Sequence, residues 1–149
     1  VVGEEDLVCI LGDLICYSKR RPEEYLARLR GRKLLVVGNH DDAWMQRVEL
    51  LDYFQAVVDQ TVVRDDSGAL VHLCHYPQLD RSGLRADYFI HGHIHNNTHM
   101  DTWPAIRACP VLLNAGVEIN GYAPATLGEL VHANRAFQTS CQTGPHLIY

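Results

Sequence analysis

Apolar runs that end in short polar clusters set the rhythm of this chain. "DLVCILGD" is rich in aliphatic residues and stops abruptly at Gly12 and Asp13, as a buried strand with an acid at its tip does. In "RPEEYLARLRG", Pro22 stands at a helix start, Glu23 and Glu24 follow in the first turn, and Gly31 lies beyond the basic last turn, so a helix is predicted there. "KLLVVGNHDD" repeats the strand, glycine and polar-cluster order. Strand, helix and strand imply a βαβ unit whose two tips share one edge of a parallel sheet.

Farther along, Trp44, Met45, Val48 and Leu51 recur at helical spacing in "DDAWMQRVELLDYF", predicting a second amphipathic helix. "AVVDQTVVRDDSGALVHLCHYP" holds two β-rich runs around Asp65, Asp66, Ser67 and Gly68, the composition of a hairpin. "ADYFIHGHIH" and "CPVLLNAGVEI" are further strand candidates, joined by a polar loop containing Trp103 and Pro104. In "YAPATLGELVHANRAF", Thr126 and Glu129 stand at capping-box spacing before Leu127, Leu130 and Val131, which predicts a last helix; after Ala136 no period is evident. The elements describe an α/β fold in a single domain, residues 1–149.

Bulk properties narrow the classes. The 149 residues are 47% hydrophobic and 21% charged, the balance of one globular domain. A formal charge of -5 provides no strong positive field for nucleic acid or an anionic membrane, so neither is expected as a partner. No apolar run approaches the ~20 residues needed to span a bilayer, and the start is unlike a secretion signal, so a cytoplasmic location is expected. The five cysteines, Cys9, Cys16, Cys74, Cys109 and Cys141, are odd in number and never spaced CxxC, as expected for reduced thiols filling core space.

Histidine changes the picture. Six of the nine, His72, His75, His91, His93, His95 and His99, fall within residues 72–99, while the polar tips Asp13 and Asn39-His40-Asp41 lie in the other half. If "HGHIH" stays extended, His93 and His95 project to one side, and Gly92 lets the backbone bend beside them. Imidazole and carboxylate are natural ligands of zinc, manganese and iron. Taken singly, each residue also has an ordinary use. His72, His132 and His146 read as hydrogen-bonded surface or core residues, His91 as support, and Asn96, Asn97 and His99 as flanking the mouth. Asp41 can cap the next helix as well as orient His40.

In sequence order, "GD" at Gly12-Asp13, "GNHD" at Gly38 to Asp41, His75 in "HLCHYP" and "GHIH" at Gly92 to His95 resemble the calcineurin-like metallophosphoesterase family, over roughly residues 7 to 130. "NAGVEINGYAPATLGEL" looks like the tail of its bacterial and phage-type branch. The resemblance implies a β-sandwich flanked by helices and a hydrolase of small phosphate mono- or diesters. It implies two divalent ions (manganese, iron, zinc or nickel), about 3.5–4 Å apart and sharing a nucleophilic hydroxide. Asp13 would bridge them, Asn39, His75 and His93 would complete the second ion's ligands, and His95 would bind the first. His40, with Asn39, would meet the phosphate and protonate the leaving group, and Asp41 would hold the His40 ring. Arg81 and Arg85 are candidate phosphate contacts; Lys19, Arg20 and Arg21 are expected to face solvent.

One family element is missing. None of the eleven aspartates is followed two residues later by histidine, so the Asp-x-His motif that completes the first metal set is absent. The expectation is an N-terminally truncated chain that lacks the first strand, has an incomplete first metal site and weak or no activity. The strand of Asp13 would then have an open edge, leading to self-association, local rearrangement or a distorted site. The alternative is a non-catalytic scaffold that keeps the fold for binding.

Overall fold

Strand β1 (Leu7–Ile10) begins exposed and sinks to half-buried as it approaches Gly12. It lies parallel to β2 (Arg32–Val36), Cys9 opposite Leu34, and β2 in turn lies parallel to β3 (Ala56–Val58). The computed structural model describes residues 2–140; Cys141 and His146 lie outside them. Among these residues β1 pairs with β2 alone, so it forms the edge of a three-stranded sheet.

The βαβ prediction holds, with a shorter helix. Helix α1 (Pro22–Leu26) has Pro22 in its first turn and the Glu24 carboxylate accepting the Arg21 amide at 3.3 Å. Beyond Leu26 the amides of Arg28 and Leu29 donate to carbonyls three residues back, the tighter spacing of a helix that is ending. Lys33 caps the turn by donating to the Leu29 and Gly31 carbonyls at 3.2 and 2.7 Å.

The second predicted helix is broken into α2 (Asp42–Met45) and a 3-10 turn, Leu50–Asp52. The cause lies in packing phase. Trp44 and Phe54 are both buried in one cluster with Ile15, Leu26 and Leu35, whereas Leu51, expected on the apolar stripe, is 73% exposed. A continuous helix would keep Leu51 on the face of Trp44; the break allows Leu50 and Phe54 to pack there instead.

The first run of the predicted hairpin is divided at Asp59. Ala56–Val58 joins the first sheet, while β4 (Gln60–Arg64) pairs antiparallel with β5 (Leu70–Cys74) in a second. Asp65 shapes the hairpin turn: its Oδ1 accepts from the Ser67 amide, the Ser67 hydroxyl and the Ala69 amide at 3.0, 2.6 and 3.0 Å. Strands β6 (Tyr88–His91) and β7 (Leu112–Asn114) extend this sheet in parallel, in the order β4-β5-β6-β7. The predicted Trp103 loop instead contains helix α3 (Trp103–Arg107), which buries Trp103 and Ile106 against Phe89 and Leu112.

The last helix, α4 (Leu127–Ser140), runs past Ala136. Its capping box forms: Glu129 accepts from the Thr126 amide and hydroxyl at 2.8 and 2.9 Å, and its own amide reaches the Thr126 oxygen at 3.4 Å. Val36 from the first sheet shares one buried cluster with Val71, Leu73, Ile90 and Leu113 from the second, and Leu130 of α4 closes it. The protein is therefore an α/β fold in which two sheets share a core and helices flank them. Among the described residues no helix is long and apolar enough to cross a membrane.

Candidate metal centre

Parallel pairing brings like ends of strands together, and here it assembles the site. The carboxyl ends of β1 and β2 carry Asp13 and Asn39, and those of β5 and β6 lead into His75 and His93. One bond joins the sheets at these ends, the His75 ring donating from Nδ1 to the Leu11 carbonyl at 2.6 Å, while the Gly92 amide continues the β5-β6 pairing by donating to the His75 carbonyl at 3.0 Å.

The two glycine-led loops touch without room for side chains. Gly12 has φ +82°, and a Cβ there would lie 2.5 Å from the Gly38 nitrogen and 2.6 Å from His75 Nδ1. A Cβ on Gly38 would collide with the Asp13 carboxylate. These glycines let the loops close around one carboxylate, that of Asp41, which is fully buried. Asp41 Oδ2 accepts from the Asp13 and Gly38 amides at 2.8 and 2.7 Å, and Oδ1 from the Leu14 amide and Trp44 Nε1 at 3.0 and 2.7 Å.

That geometry corrects the expected role of Asp41. Both its oxygens are engaged by other donors, so it clamps the two loops and does not hold the His40 ring. His40 is exposed, its backbone amide donates to Asp13 Oδ1 at 2.8 Å, and its ring lies 5.5 Å from that of Tyr17.

Asp13, His75 and His93 each offer a ligand atom, all within 4.8 Å of one another. Asn39 completes the group, its Oδ1 lying 3.0 Å from His75 Nε2 and 2.9 Å from His93 Nδ1; the two ring nitrogens are 3.2 Å apart. The hydrogen count is informative. With the neutral ring's proton on Nδ1, held by Leu11, His75 turns a lone pair on Nε2 toward Asn39 Oδ1 and toward Asp13 Oδ2, 3.5 Å away. His93 can bring one proton at most on Nδ1, and burial, then the neighbouring His75, hold its pKa below the usual histidine range. With a neutral His75 ring, three acceptors face one available proton. Lone pairs converging on a shared centre suit a cation, and two imidazoles, a carboxylate and an amide oxygen fit a borderline divalent metal. The Leu11 carbonyl supplies the outer bond that fixes a metal-binding tautomer.

His95 lies apart from this group. The "HGHIH" segment does not stay extended: β6 ends at His91, and His93 and His95 take left-handed backbone, φ 62° and 52°. Gly92 is needed for close approach, because a Cβ there would lie 2.9 Å from the Leu11 carbonyl. His95 Nδ1 donates to Glu118 Oε1 at 2.6 Å, and Asn114 Nδ2 donates to the His95 carbonyl at 2.6 Å. Asn134 of α4 fixes Asn114 in turn, accepting its amide at 2.7 Å and donating to its carbonyl at 3.0 Å. Burial drives the Glu118 carboxyl upward, but the His95 contact, a backbone bond and the His95 charge together outweigh it and leave its pKa lowered.

Glu118, Asn114 and Asn134 were not marked by the sequence reading. Glu118 lies within "NAGVEINGYAPATLGEL", but nothing local pairs it with a histidine 23 positions away. Arg81 donates to the Gln78 carbonyl at 2.8 Å and lies over the Phe89 ring, so it braces its own loop, while Arg85 is exposed. His91 is buried, its Nδ1 on the Gly92 carbonyl at 2.9 Å, which is a supporting place. His72 is buried too, beside Gln60 at 3.1 Å, and His132 is exposed. Cys9, Cys16, Cys74 and Cys109 are free thiols.

The fold and site define an α/β protein with a histidine, aspartate and asparagine group of metal-binding type at its strand tips. No family model matches the chain. It is similar to "Uncharacterized protein MJ1445" of Methanocaldococcus jannaschii, with 29% identity over 133 residues, 88% of this chain and 67% of that protein. It is also similar to a solved structure, the protein of unknown function AQ665 from Aquifex aeolicus, at 30% identity and a TM-score of 0.62, covering 83% of this chain and 74% of that one. With that identity and coverage, the chain belongs to the same family as AQ665.

Proposed function

We propose that the chain is a cytoplasmic calcineurin-like metallophosphoesterase that hydrolyses small phosphate mono- or diesters. One observation carries this reading: Asp13, Asn39, His75 and His93 turn more acceptors than protons toward one another, beside an exposed His40. A divalent cation held by these four would act as a Lewis acid on a phosphoryl oxygen and lower the pKa of a water. The protein supplies the rest. Asn39 contributes a neutral oxygen, which limits negative charge beside an anionic substrate. Asp13 fixes His40 through the backbone amide, leaving its ring free to reach the phosphate. From that place His40 stabilises charge on the phosphoryl oxygens and passes a ring proton to the departing oxygen.

The test is hydrolysis of a chromogenic phosphodiester with added manganese, comparing the parent with His40→Ala. The parent is expected to show weak but measurable hydrolysis and the variant about 100-fold less or none, while both bind the ion equally. A second reading, a non-catalytic metal-binding domain, is favoured by the separation of His95 from the cluster and its pairing with Glu118. A parent that binds manganese, stays folded and hydrolyses no faster than His40→Ala supports that second reading.

A further inference from the structure

Beside Asn39 and His40 the surface opens into a cleft of about 270 Å³, which runs along α2 as far as Arg47. Ile15 and Trp44, both buried, contribute apolar surface, and Tyr17, Ser18, Asp42 and Ala43 line the remainder. Tyr17 is the unusual member. The residue is 91% exposed and its backbone is left-handed, φ 52°, a conformation that is uncommon for a bulky residue. The fold thus spends strain to hold an aromatic ring in water beside the His40 ring, 5.5 Å away between centroids. The Ser18 hydroxyl of the same loop is tied to the Tyr25 hydroxyl at 2.7 Å, and Arg47 donates to the Arg20 carbonyl at 3.4 Å. The loop that carries Tyr17 is therefore held at two points just beyond it, by Tyr25 of α1 and by Arg47.

We propose that this cleft binds the leaving group of the substrate and selects a planar, uncharged aromatic one, stacked on Tyr17. The inference rests on the phosphoesterase reading and deepens it. A phosphate placed at Asn39 and His40 puts its ester oxygen at the cleft mouth, and the group beyond that oxygen enters between Tyr17 and α2. Flat aromatic groups of any origin, phenolic or nucleobase, gain from the exposed Tyr17 face and the apolar surface of Ile15 and Trp44. Charge decides against a second phosphate. Asp42 and Arg47 are of opposite charge in the lining, which leaves the cleft without the cluster of cations that a diphosphate needs.

Two non-hydrolysable probes test the proposal: phenylphosphonate and methylphosphonate, titrated calorimetrically into the manganese-loaded protein. Phenylphosphonate is expected to bind about tenfold more tightly than methylphosphonate, with Tyr17→Ala erasing the difference and Tyr17→Phe keeping it. Tyr17 is exposed, so Tyr17→Ala is expected to fold, and its unchanged affinity for methylphosphonate confirms this directly. Equal binding of the two probes by the parent overturns the aromatic cleft and leaves the phosphoesterase reading intact. So does a preference for phenylphosphonate that survives in Tyr17→Ala. Failure of both probes to bind protein that does bind manganese overturns the two readings together.

Discussion

Two histidine and carboxylate arrangements stand a few residues apart in this molecule, and they are built on different principles. At the strand tips, His75 and His93 meet Asp13 and Asn39 with lone pairs turned inward and too few protons to satisfy them. At the other, His95 is satisfied by Glu118 alone, its side chain 67% exposed. The first arrangement gathers acceptors, as the cation-binding reading requires. The second already contains its complement: an imidazole donor on a carboxylate acceptor. Proximity in sequence, as between His93 and His95, therefore does not determine shared use; the backbone angle between them does.

The largest expected effect comes from removing what holds the first arrangement together. Asp41→Ala leaves three backbone amides and the Trp44 indole without their acceptor, a loss of roughly 4 kcal/mol or more in urea unfolding, and metal affinity falls with it. A variant close to parent stability would mean that water replaces the clamp.

Acid should weaken the same region next. Burial above all holds the His91 pKa down from 6.5 to about 4, with His93 and His75 adding to the effect against the Gly92 carbonyl. The unfolded chain thus takes up a proton before the folded one does. The stability linked to neutral His91 is full above about pH 6.5 and is lost as pH falls through about 4. Urea unfolding of chelator-treated protein should register a loss of about 3 kcal/mol across that window, much reduced in His91→Gln. An identical slope in that variant would assign the effect to other groups.

Metal distinguishes the two arrangements most directly. At a hundredfold excess over its Kd, manganese or zinc should raise stability by about 2.7 kcal/mol, read as a thermal shift against each protein's own metal-free baseline. His75→Ala and His93→Ala should abolish the shift, and His95→Ala should keep most of it. Equal loss in all three would join His95 to the cluster and erase the contrast drawn above.

The smallest effect is at Glu118. Glu118→Gln should cost less than about 1 kcal/mol, since the His95 partner is 67% exposed and the amide oxygen of Gln can still accept its proton. Its signature is spectroscopic instead: nitrogen NMR of the metal-free parent should find the His95 proton mainly on Nδ1, and the variant should show less of that preference.

What the sequence revealed of this site was what strands dictate. An aliphatic run stopped by glycine implies a strand end, so the tips bearing Asp13, Asn39 and His75 were legible, as was the parallel βαβ unit that aligns the first two. Long-range satisfaction was not. Two of the four donors to Asp41, the Asp13 and Leu14 amides, come from 28 and 27 positions away, and nothing beside "GNHD" announces that both of its oxygens are consumed. The bend after His91 was assigned to Gly92, yet the left-handed angles fall on His93 and His95, because Gly92 is committed to approaching Leu11. The second helix failed for a similar reason: helical spacing marked Leu51, but the shared core selected Leu50 and Phe54. Helix α3 did carry a signal, since Pro104 in its first turn and the three-residue step from Trp103 to Ile106 suit a short helix.

The Asp41 clamp also bears on how the site can change over time. Because one carboxylate serves the backbone of both glycine-led loops, neither loop can be lengthened, shortened or exchanged without disturbing the other. His93 and His95, on a segment outside that joint, are under no such obligation. Variation of the candidate metal group is then easiest to introduce from the histidine side, while the loops of Asp13 and Asn39 constrain each other through Asp41.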